Sequence, residues 1–322
     1  MIDPLLALDL PAYRPPPWLR SGHLQTIVPS LFHRVDGVAY RRERLDLADG
    51  DFLDLDWAGP DDAQNRLVVI AHGLEGSSDR AYVRGMVRAF VRRGWAALAW
   101  NLRGCSGEPN RLARAYHSGA TEDLDAVVRH AVAAGWGRIG VVGFSLGGNL
   151  SLKWLGERGG DAPPEVQAAV GVSVPVDLAN SAAVMEAWSR RLYMLRFIRK
   201  LDAKTREKHA RFPDGPDPAS VARMRTFAEF DAHVTAPLHG YASAQDYWAR
   251  ASSGPDLQHI RVPTLLVNAL DDPFLGDACY PERAGAVRVL APRHGGHVGF
   301  MAGGGEYWSE TTAARWLGAF VR

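Results

Sequence analysis

Short hydrophobic runs, separated by amphipathic segments, recur along most of the chain. The clearest runs lie at 67–73, 96–100, 138–144, 168–174 and 263–269. Continuous apolar runs of this length are typical of parallel strands that are covered on both faces. The pattern therefore predicts an α/β fold built on a mostly parallel central sheet.

Two further patterns complete the predicted secondary structure. At 40–57, polar and apolar residues alternate on both sides of the dipeptide Asp49-Gly50, which predicts a β-hairpin. Segments 81–94 and 121–135 each carry one apolar stripe at helical spacing and end in glycine. Because strands and helices alternate, we expect right-handed crossovers with helices on both faces of the sheet.

This alternation is interrupted between about residues 177 and 256, where the pattern is mainly helical. An insertion after a core strand would lie over the carboxyl edge of the sheet, where α/β proteins bind ligands. We interpret it as a lid. The predicted organisation is one domain, 1–322, with an N-terminal arm at 1–39, a core at 40–176 and 257–322, and the lid at 177–256.

Composition and charge narrow the class of protein. The chain is 47% hydrophobic and 23% charged, as in soluble globular proteins, and its net charge of +1 gives no reason to expect a nucleic-acid partner. No run is long enough to span a membrane, and Asp9 and Pro11 interrupt the first apolar run before it could form a signal peptide. Cys105 and Cys279 lack the spacing of metal ligands, which predicts free thiols and a cytoplasmic protein.

Ser145 lies at the centre of a Gly-x-Ser-x-Gly sequence, within VVGFSLGGNL. It directly follows an apolar run and precedes a helical pattern, which is the strand–turn–helix context of a nucleophile elbow. Gly143 and Gly147 leave room for a tight turn. A serine hydroxyl also needs a histidine to accept its proton and a carboxylate to orient that histidine.

Candidates for both partners follow in the expected order, acid before histidine. Asp271 and Asp272 come directly after the run at 263–269, and we prefer Asp272 because it precedes a proline at the entrance of the loop. His294 and His297 lie in a glycine-rich loop, and we prefer His297 because it is closer to the final helix. The predicted triad is Ser145, Asp272 and His297.

The loop AHGLEGSS, after the first parallel run, completes the candidate site. Gly73, which has no side chain, lets the backbone of this loop approach a reacting carbonyl. The backbone N–H groups of Leu74 and Leu146 are the predicted oxyanion donors. His72 fits a structural histidine of this loop better than a base. Each feature alone also fits an ordinary turn, and His294 and His297 lack a third metal ligand, so we predict no metal and no cofactor. The serine, acid, histidine and oxyanion-loop features, taken together in this order along the chain, favour a Ser-His-Asp hydrolase.

On these residues the chain resembles the YheT-like branch of the α/β-hydrolase superfamily, which includes bacterial proteins assigned as esterases and ABHD-type lipid hydrolases. The resemblance runs over about 15–320, and its most specific marks are SGHLQTI, AHGLEGSSDRAYVRGM, NLRGCSGEPN, YHSGATEDL, GFSLGGN and NALDDP. It implies the α/β-hydrolase fold, with Ser145 as nucleophile, Asp272 as acid and His297 as base. In SGHLQTI, we expect His23 and Gln25 to tie the N-terminal segment to the core.

The resemblance implies hydrolysis of carboxylic esters or acylglycerols, with phospholipid cleavage or acyl transfer in some members. We expect a serine hydrolase for short- to medium-chain acyl esters or other lipids. Acyl transfer by the same triad and ligand binding without catalysis are the alternatives, and the intact triad disfavours the second. Segment 188–212 mixes apolar residues with nine arginines and lysines, which fits either a solvated lid helix or peripheral contact with an anionic membrane.

Overall fold

The computed structural model describes residues 4–61 and 65–322, and an eight-stranded sheet lies at its centre. The strands are β1 (Arg41–Asp46), β2 (Phe52–Ala58), β3 (Arg66–Ala71), β4 (Ala96–Trp100), β5 (Arg138–Phe144), β6 (Val166–Val172), β7 (Thr264–Val267) and β8 (Val287–Leu290). Their order across the sheet is β1-β2-β4-β3-β5-β6-β7-β8. β2 pairs antiparallel with β1 and β4, and every other pair is parallel. The prediction of a mostly parallel sheet is confirmed.

The predicted hairpin is formed by β1 and β2. Asp46 pairs with Phe52 at its closed end, and the N–H of Leu47 donates to the carbonyl oxygen of Asp51 over 2.9 Å. Gly50 lies in this turn with a φ of +86°, a conformation that glycine adopts without steric cost. The Asp49-Gly50 signal therefore located the turn correctly.

The helices are α1 (Pro4–Ala7), α2 (Gly22–Phe32), α3 (Ala81–Val91), α4 (Thr121–Ala133), α5 (Leu146–Arg158), α6 (Leu178–Met185), α7 (Arg191–Arg211), α8 (Pro218–Val221), α9 (Phe227–Phe230), α10 (Ala236–Leu238), α11 (Ala244–Ala251) and α12 (Trp308–Phe320). Helices α4 and α5 pack on one face of the sheet, and α3 and α12 pack on the other. The alternation of a strand directs neighbouring side chains to opposite faces, so Val141 and Val142 belong to different cores. Burial of each aliphatic side chain of this kind stabilises the folded state by about 1.5–3 kcal/mol.

Between β6 and β7 the described chain forms α6 to α11, and we call residues 177–256 the insertion. Its two ends meet at the carboxyl edge of the sheet, because the N–H of Leu178 donates to Ser252 Oγ and the N–H of Gly254 donates to the carbonyl oxygen of Val176. The insertion has its own apolar cluster, which includes Met185, Met194, Ile198, Phe230 and Val234. Its action as a lid stays a prediction.

The first part of the N-terminal arm packs on the face of the sheet that carries α3 and α12. Tyr13 Oη donates to the carbonyl oxygen of Met301 over 2.6 Å, and Trp308 Nε1 donates to that of Pro11 over 2.7 Å.

Within 4–61 and 65–322, no helix combines the length and the apolar character needed to cross a membrane. Cys105 and Cys279 are free thiols, as expected.

Candidate active site

Ser145 occupies the tight turn between β5 and α5. Its φ of +51° lies in the left-handed region, which costs a non-glycine residue on the order of 1–3 kcal/mol. The flanking glycines make the turn possible: a Cβ on Gly147 would lie 2.3 Å from the carbonyl oxygen of His72, and one on Gly143 would lie 2.5 Å from that of Gly147. The predicted strained turn at the carboxyl end of a buried strand is present.

Ser145, His297 and Asp272 form a continuous hydrogen-bonded path. His297 Nε2 lies 2.9 Å from Ser145 Oγ, and His297 Nδ1 lies 2.9 Å from Asp272 Oδ2. The Asp272 carboxylate is fully buried, and its Oδ1 accepts the N–H of Phe274 over 2.9 Å. Because a carboxylate only accepts, Nδ1 of the imidazole carries the proton and Nε2 is left to accept from the serine. The structure thus brings together the three residues selected from the sequence.

Asp271 has different contacts from its neighbour. Its Oδ1 accepts the N–H of Gly296 over 2.8 Å, and its Oδ2 lies 3.3 Å from His294 Nδ1. Asp271 and His294, the alternatives to Asp272 and His297 in the predicted triad, are therefore paired with each other. Together they hold the glycine-rich loop that carries His297.

Helix α2, from the SGHLQTI segment, supports the same loop. Thr26 Oγ1 accepts the backbone N–H of His297 over 2.9 Å. Gln25 is fully buried, and its Oε1 accepts the N–H of Met301 over 3.1 Å while its Nε2 donates to the carbonyl oxygen of Leu19. The expected tie between the arm and the core is confirmed for Gln25. Sequence reasoning missed Thr26, because a threonine inside a helix carries no catalytic signal.

The expectation for His23 was wrong in its partner. His23 is exposed and contacts the insertion instead of the core, with its Nδ1 3.0 Å from Tyr193 Oη and the two rings stacked. Tyr193 in turn meets Phe274 edge-to-face at 4.9 Å, and Phe274 packs 4.3 Å from the ring of His297. A row of aromatic rings therefore links the arm, the insertion and the candidate base.

The two predicted oxyanion donors lie beside Ser145. Leu146 opens α5, and amides of a first helical turn have no partner within the helix and carry its positive dipole. Leu74 follows Gly73, where an added Cβ would lie 3.1 Å from Ser145 Cβ. Leu74, Leu146, Ser145 and His297 all line one cavity. Their action as oxyanion donors stays a prediction.

His72 is a structural histidine, as expected. It is buried, its Nδ1 donates to the carbonyl oxygen of Gly73 over 2.8 Å, and its Nε2 accepts the N–H of Leu102 over 3.1 Å. Burial lowers the pKa of His72 to about 4, so the imidazole is neutral near pH 7. With both ring nitrogens engaged, it stabilises the loop that leads to Leu74.

Glu75, the residue after Leu74, is held by helix α7 of the insertion. Lys204 Nζ lies 3.1 Å from Glu75 Oε1, which also accepts a hydrogen bond from Tyr116 Oη over 2.6 Å. Lys200 Nζ donates to the backbone carbonyl oxygen of Glu75 over 3.4 Å. Glu75 has a φ of +52°, so these contacts fix a strained backbone. Its position directly after Leu74 is the sequence signal that could have identified it.

Comparison with known proteins assigns the family. A family profile described as alpha/beta hydrolase fold matches residues 66–303. Over 317 residues the chain is 40% identical to the Escherichia coli protein named "Putative esterase YheT", covering 93% of this chain and 91% of that protein. The chain belongs to the α/β-hydrolase family. The resemblance and the fold predicted from the sequence are both confirmed.

Other relatives agree with this assignment. The α/β hydrolase is 30% identical over 307 residues to phospholipase ABHD3 of Mus musculus, which covers 90% of this chain and 74% of the mouse protein. A solved structure of the Pyrococcus furiosus esterase Pf2001 superposes with a TM-score of 0.58 over 88% of this chain and 94% of that one, and at 16% identity it shows the shared fold alone. This α/β hydrolase is an enzyme of the carboxylesterase and lipase type.

In this α/β hydrolase an apolar cavity of about 200 Å³ extends from Ser145 beneath the insertion. One side of it follows α7 from Phe197 to His209, roughly 18 Å at the helical rise of 1.5 Å per residue. Phe227 and Phe230 also line the cavity, and the ring of Phe227 lies 5.8 Å from that of Phe197. The cavity therefore has the length and the lining that an acyl chain needs.

A few buried polar groups interrupt this lining. The rings of His117 and His239 lie 4.3 Å apart, and burial lowers the pKa of both, so they remain neutral. Burial also raises the pKa of Asp231 to about 6, and its carboxylate accepts hydrogen bonds from Thr235 Oγ1 and Trp248 Nε1. His117, His239 and Asp231 are thus polar side chains in a largely apolar lining.

Proposed function

We propose that this α/β hydrolase cleaves carboxylic esters of short- to medium-chain acyl groups, acylglycerols and other lipid esters among them, through an acyl-enzyme on Ser145. The path from Ser145 Oγ through His297 to Asp272, beside an apolar cavity, carries the proposal. The YheT and ABHD3 relatives, named an esterase and a phospholipase, support the substrate class.

The reaction would follow from the contacts of these residues. Ser145 Oγ attacks the ester carbonyl carbon while its proton passes to His297 Nε2, and Asp272 stabilises the resulting imidazolium. The N–H groups of Leu74 and Leu146 donate to the oxyanion. His297 then protonates the leaving alcohol oxygen, and a water molecule releases the acid by the same steps in reverse.

The products test this proposal. We expect the purified chain to be labelled by a fluorophosphonate and to convert p-nitrophenyl butyrate into free butyrate and p-nitrophenol. A mass spectrum of the products formed with glycerol present separates hydrolysis from acyl transfer, which uses the same triad. Dominant glyceryl butyrate would replace our proposal with the transferase alternative, and absence of labelling would favour ligand binding without catalysis.

We also propose that the insertion acts as a lid. Its helix α7 and the short π-helix Asp231–Thr235 line the cavity that holds Ser145, which supports this role. A lid of this kind excludes water once the acyl chain is bound. The cytoplasmic location stays a prediction.

Filling the cavity is expected to shorten the preferred acyl chain. Thr205 is buried on α7, about 12 Å along the helix axis from Phe197, so Thr205→Phe would place a ring in the far half of the cavity. We expect kcat/KM to fall about tenfold for p-nitrophenyl decanoate and to stay within about twofold for the acetate, because overpacking costs about 1–3 kcal/mol.

The matched control for this change is Ala203→Phe, which puts the same ring on the exposed side of α7. It should leave the chain-length profile of the parent unchanged. Equal losses for acetate and decanoate in Thr205→Phe would show that the acyl chain lies elsewhere.

Weakening the contact between α7 and the oxyanion loop is expected to slow turnover. Glu75→Gln keeps the shape of the side chain but removes the charge that pairs with Lys204. Because small misplacements of catalytic groups are costly, we expect kcat to fall about tenfold while KM stays within about twofold.

Steady-state kinetics with p-nitrophenyl butyrate check this. Asp79→Asn serves as the control, since Asp79 is an exposed acid of the same loop, paired with Arg84, and its change should leave kcat unaltered. A higher KM at unchanged kcat in Glu75→Gln would assign Glu75 to substrate binding instead.

A further inference from the structure

The large apolar side chains that stand exposed in the described chain are concentrated in three segments. They are Trp18, Leu24, Ile27, Leu31 and Phe32 of the arm, Trp188 just before α7 with Leu192 and Leu195 in its first turns, and Leu270 after β7. Trp188, Leu192 and Phe32 are 86%, 81% and 72% exposed, so they are almost fully in solvent. On α2, Leu24, Ile27 and Leu31 follow helical spacing and lie opposite the buried face.

These segments touch one another and form one surface. A Cβ on Gly22 would lie 1.8 Å from the carbonyl oxygen of Asp271, which places α2 against the residue that follows Leu270. His23 contacts Tyr193 of α7. We call this combined surface the docking surface. It borders the candidate site, because Tyr193 belongs to the row of rings that ends at His297.

The arm and the start of α7 are rich in arginine, while the acids Asp36, Glu186 and Asp271 lie at the border of this surface. Segments 14–34 and 187–199 contain no aspartate or glutamate and hold seven arginines, namely Arg14, Arg20, Arg34, Arg190, Arg191, Arg196 and Arg199. The whole chain has a net charge of only +1, so the rest of the protein is acidic overall. Exposed tryptophan, leucine and phenylalanine bordered by arginine are the combination that binds the interface of an anionic membrane.

We propose that the docking surface binds an anionic lipid bilayer, with its apolar side chains among the headgroups and its arginines on lipid phosphates. Sequence reasoning considered only segment 188–212 for such contact, whereas the structure adds α2. A second copy of the chain fits less well, because a symmetric contact would bring the same arginines together. The inference rests on the proposed function only in that docking would bring lipid esters to Ser145.

Flotation of the full chain with vesicles tests this inference. We expect binding to vesicles enriched in phosphatidylglycerol to be at least about tenfold tighter than to pure phosphatidylcholine, and to weaken as salt is raised. The double variants Trp188→Ser/Leu192→Ser and Arg191→Ser/Arg196→Ser should each lose about tenfold in binding. Both should hydrolyse soluble p-nitrophenyl butyrate at the parental rate, which shows that they fold.

The matched control is Arg138→Ser/Arg261→Ser, which removes two exposed arginines from the opposite, amino-terminal edge of the sheet and should bind like the parent. An equal loss in this control, or no binding to anionic vesicles, would overturn the inference. So would a dimer in light scattering that Trp188→Ser/Leu192→Ser dissociates without any vesicle binding. Ser145→Ala should still float with vesicles. The vesicle test therefore remains valid even if hydrolysis assays contradict the proposed function.

Discussion

Ser145→Ala is expected to lower kcat/KM for p-nitrophenyl butyrate by about four to six orders of magnitude, and to abolish labelling by a fluorophosphonate. The hydroxyl group of Ser145 would form the acyl-enzyme, and its oxygen, Oγ, lies 2.9 Å from His297 Nε2. Losing a nucleophile removes the covalent route altogether, whereas binding and the oxyanion donors leave only residual catalysis.

The control for this variant is Ser151→Ala, in the helix α5 that follows Ser145. Ser151 is buried and donates to the carbonyl oxygen of Gly147 over 2.7 Å, so its change removes a nearby hydroxyl without touching His297. We expect it to keep activity within about threefold. Ser145→Ala should unfold within a few degrees of the parent, because alanine meets the same strain at a φ of +51°. Parental activity in folded Ser145→Ala would show that the nucleophile is another residue.

The parts of the molecule that could be predicted are those fixed by local chemistry. The apolar runs located the strands because a strand covered on both faces must be apolar throughout. Ser145 was identifiable because the turn that carries it requires glycine on both sides. Asp272 and His297 followed from their positions after β7 and in a glycine-rich loop.

The parts that could not be predicted depend on contacts between distant segments. Thr26 and His297 are 271 residues apart in the chain, and no local pattern marks the hydrogen bond that joins them. Similarly, Glu75 looked like an ordinary loop residue until α7 placed Lys204 against it. His23 was assigned to the wrong partner because its helix buries one face on the core and exposes the other to the insertion. The spacing of apolar residues identifies such helix faces but not the segments that pack against them.

The two adjacent acids provide the sharpest internal comparison in the site. Asp272→Asn is expected to lower kcat/KM by about 10⁴, and Asp271→Asn by less than about tenfold. In Asp272→Asn, an amide replaces the carboxylate at His297 Nδ1, so the favoured tautomer carries its proton on Nε2 and cannot accept one from Ser145. The imidazolium formed during attack also loses its buried counter-charge.

Asp271→Asn has a different consequence, because its contact with the His297 loop can survive the change. The amide oxygen of asparagine can still accept the N–H of Gly296, and only the contact with His294 changes. Kinetics with p-nitrophenyl butyrate and the rate of fluorophosphonate labelling measure both variants in parallel. Since the two substitutions are chemically identical and one residue apart, a larger loss in Asp271→Asn would assign the orienting carboxylate to Asp271.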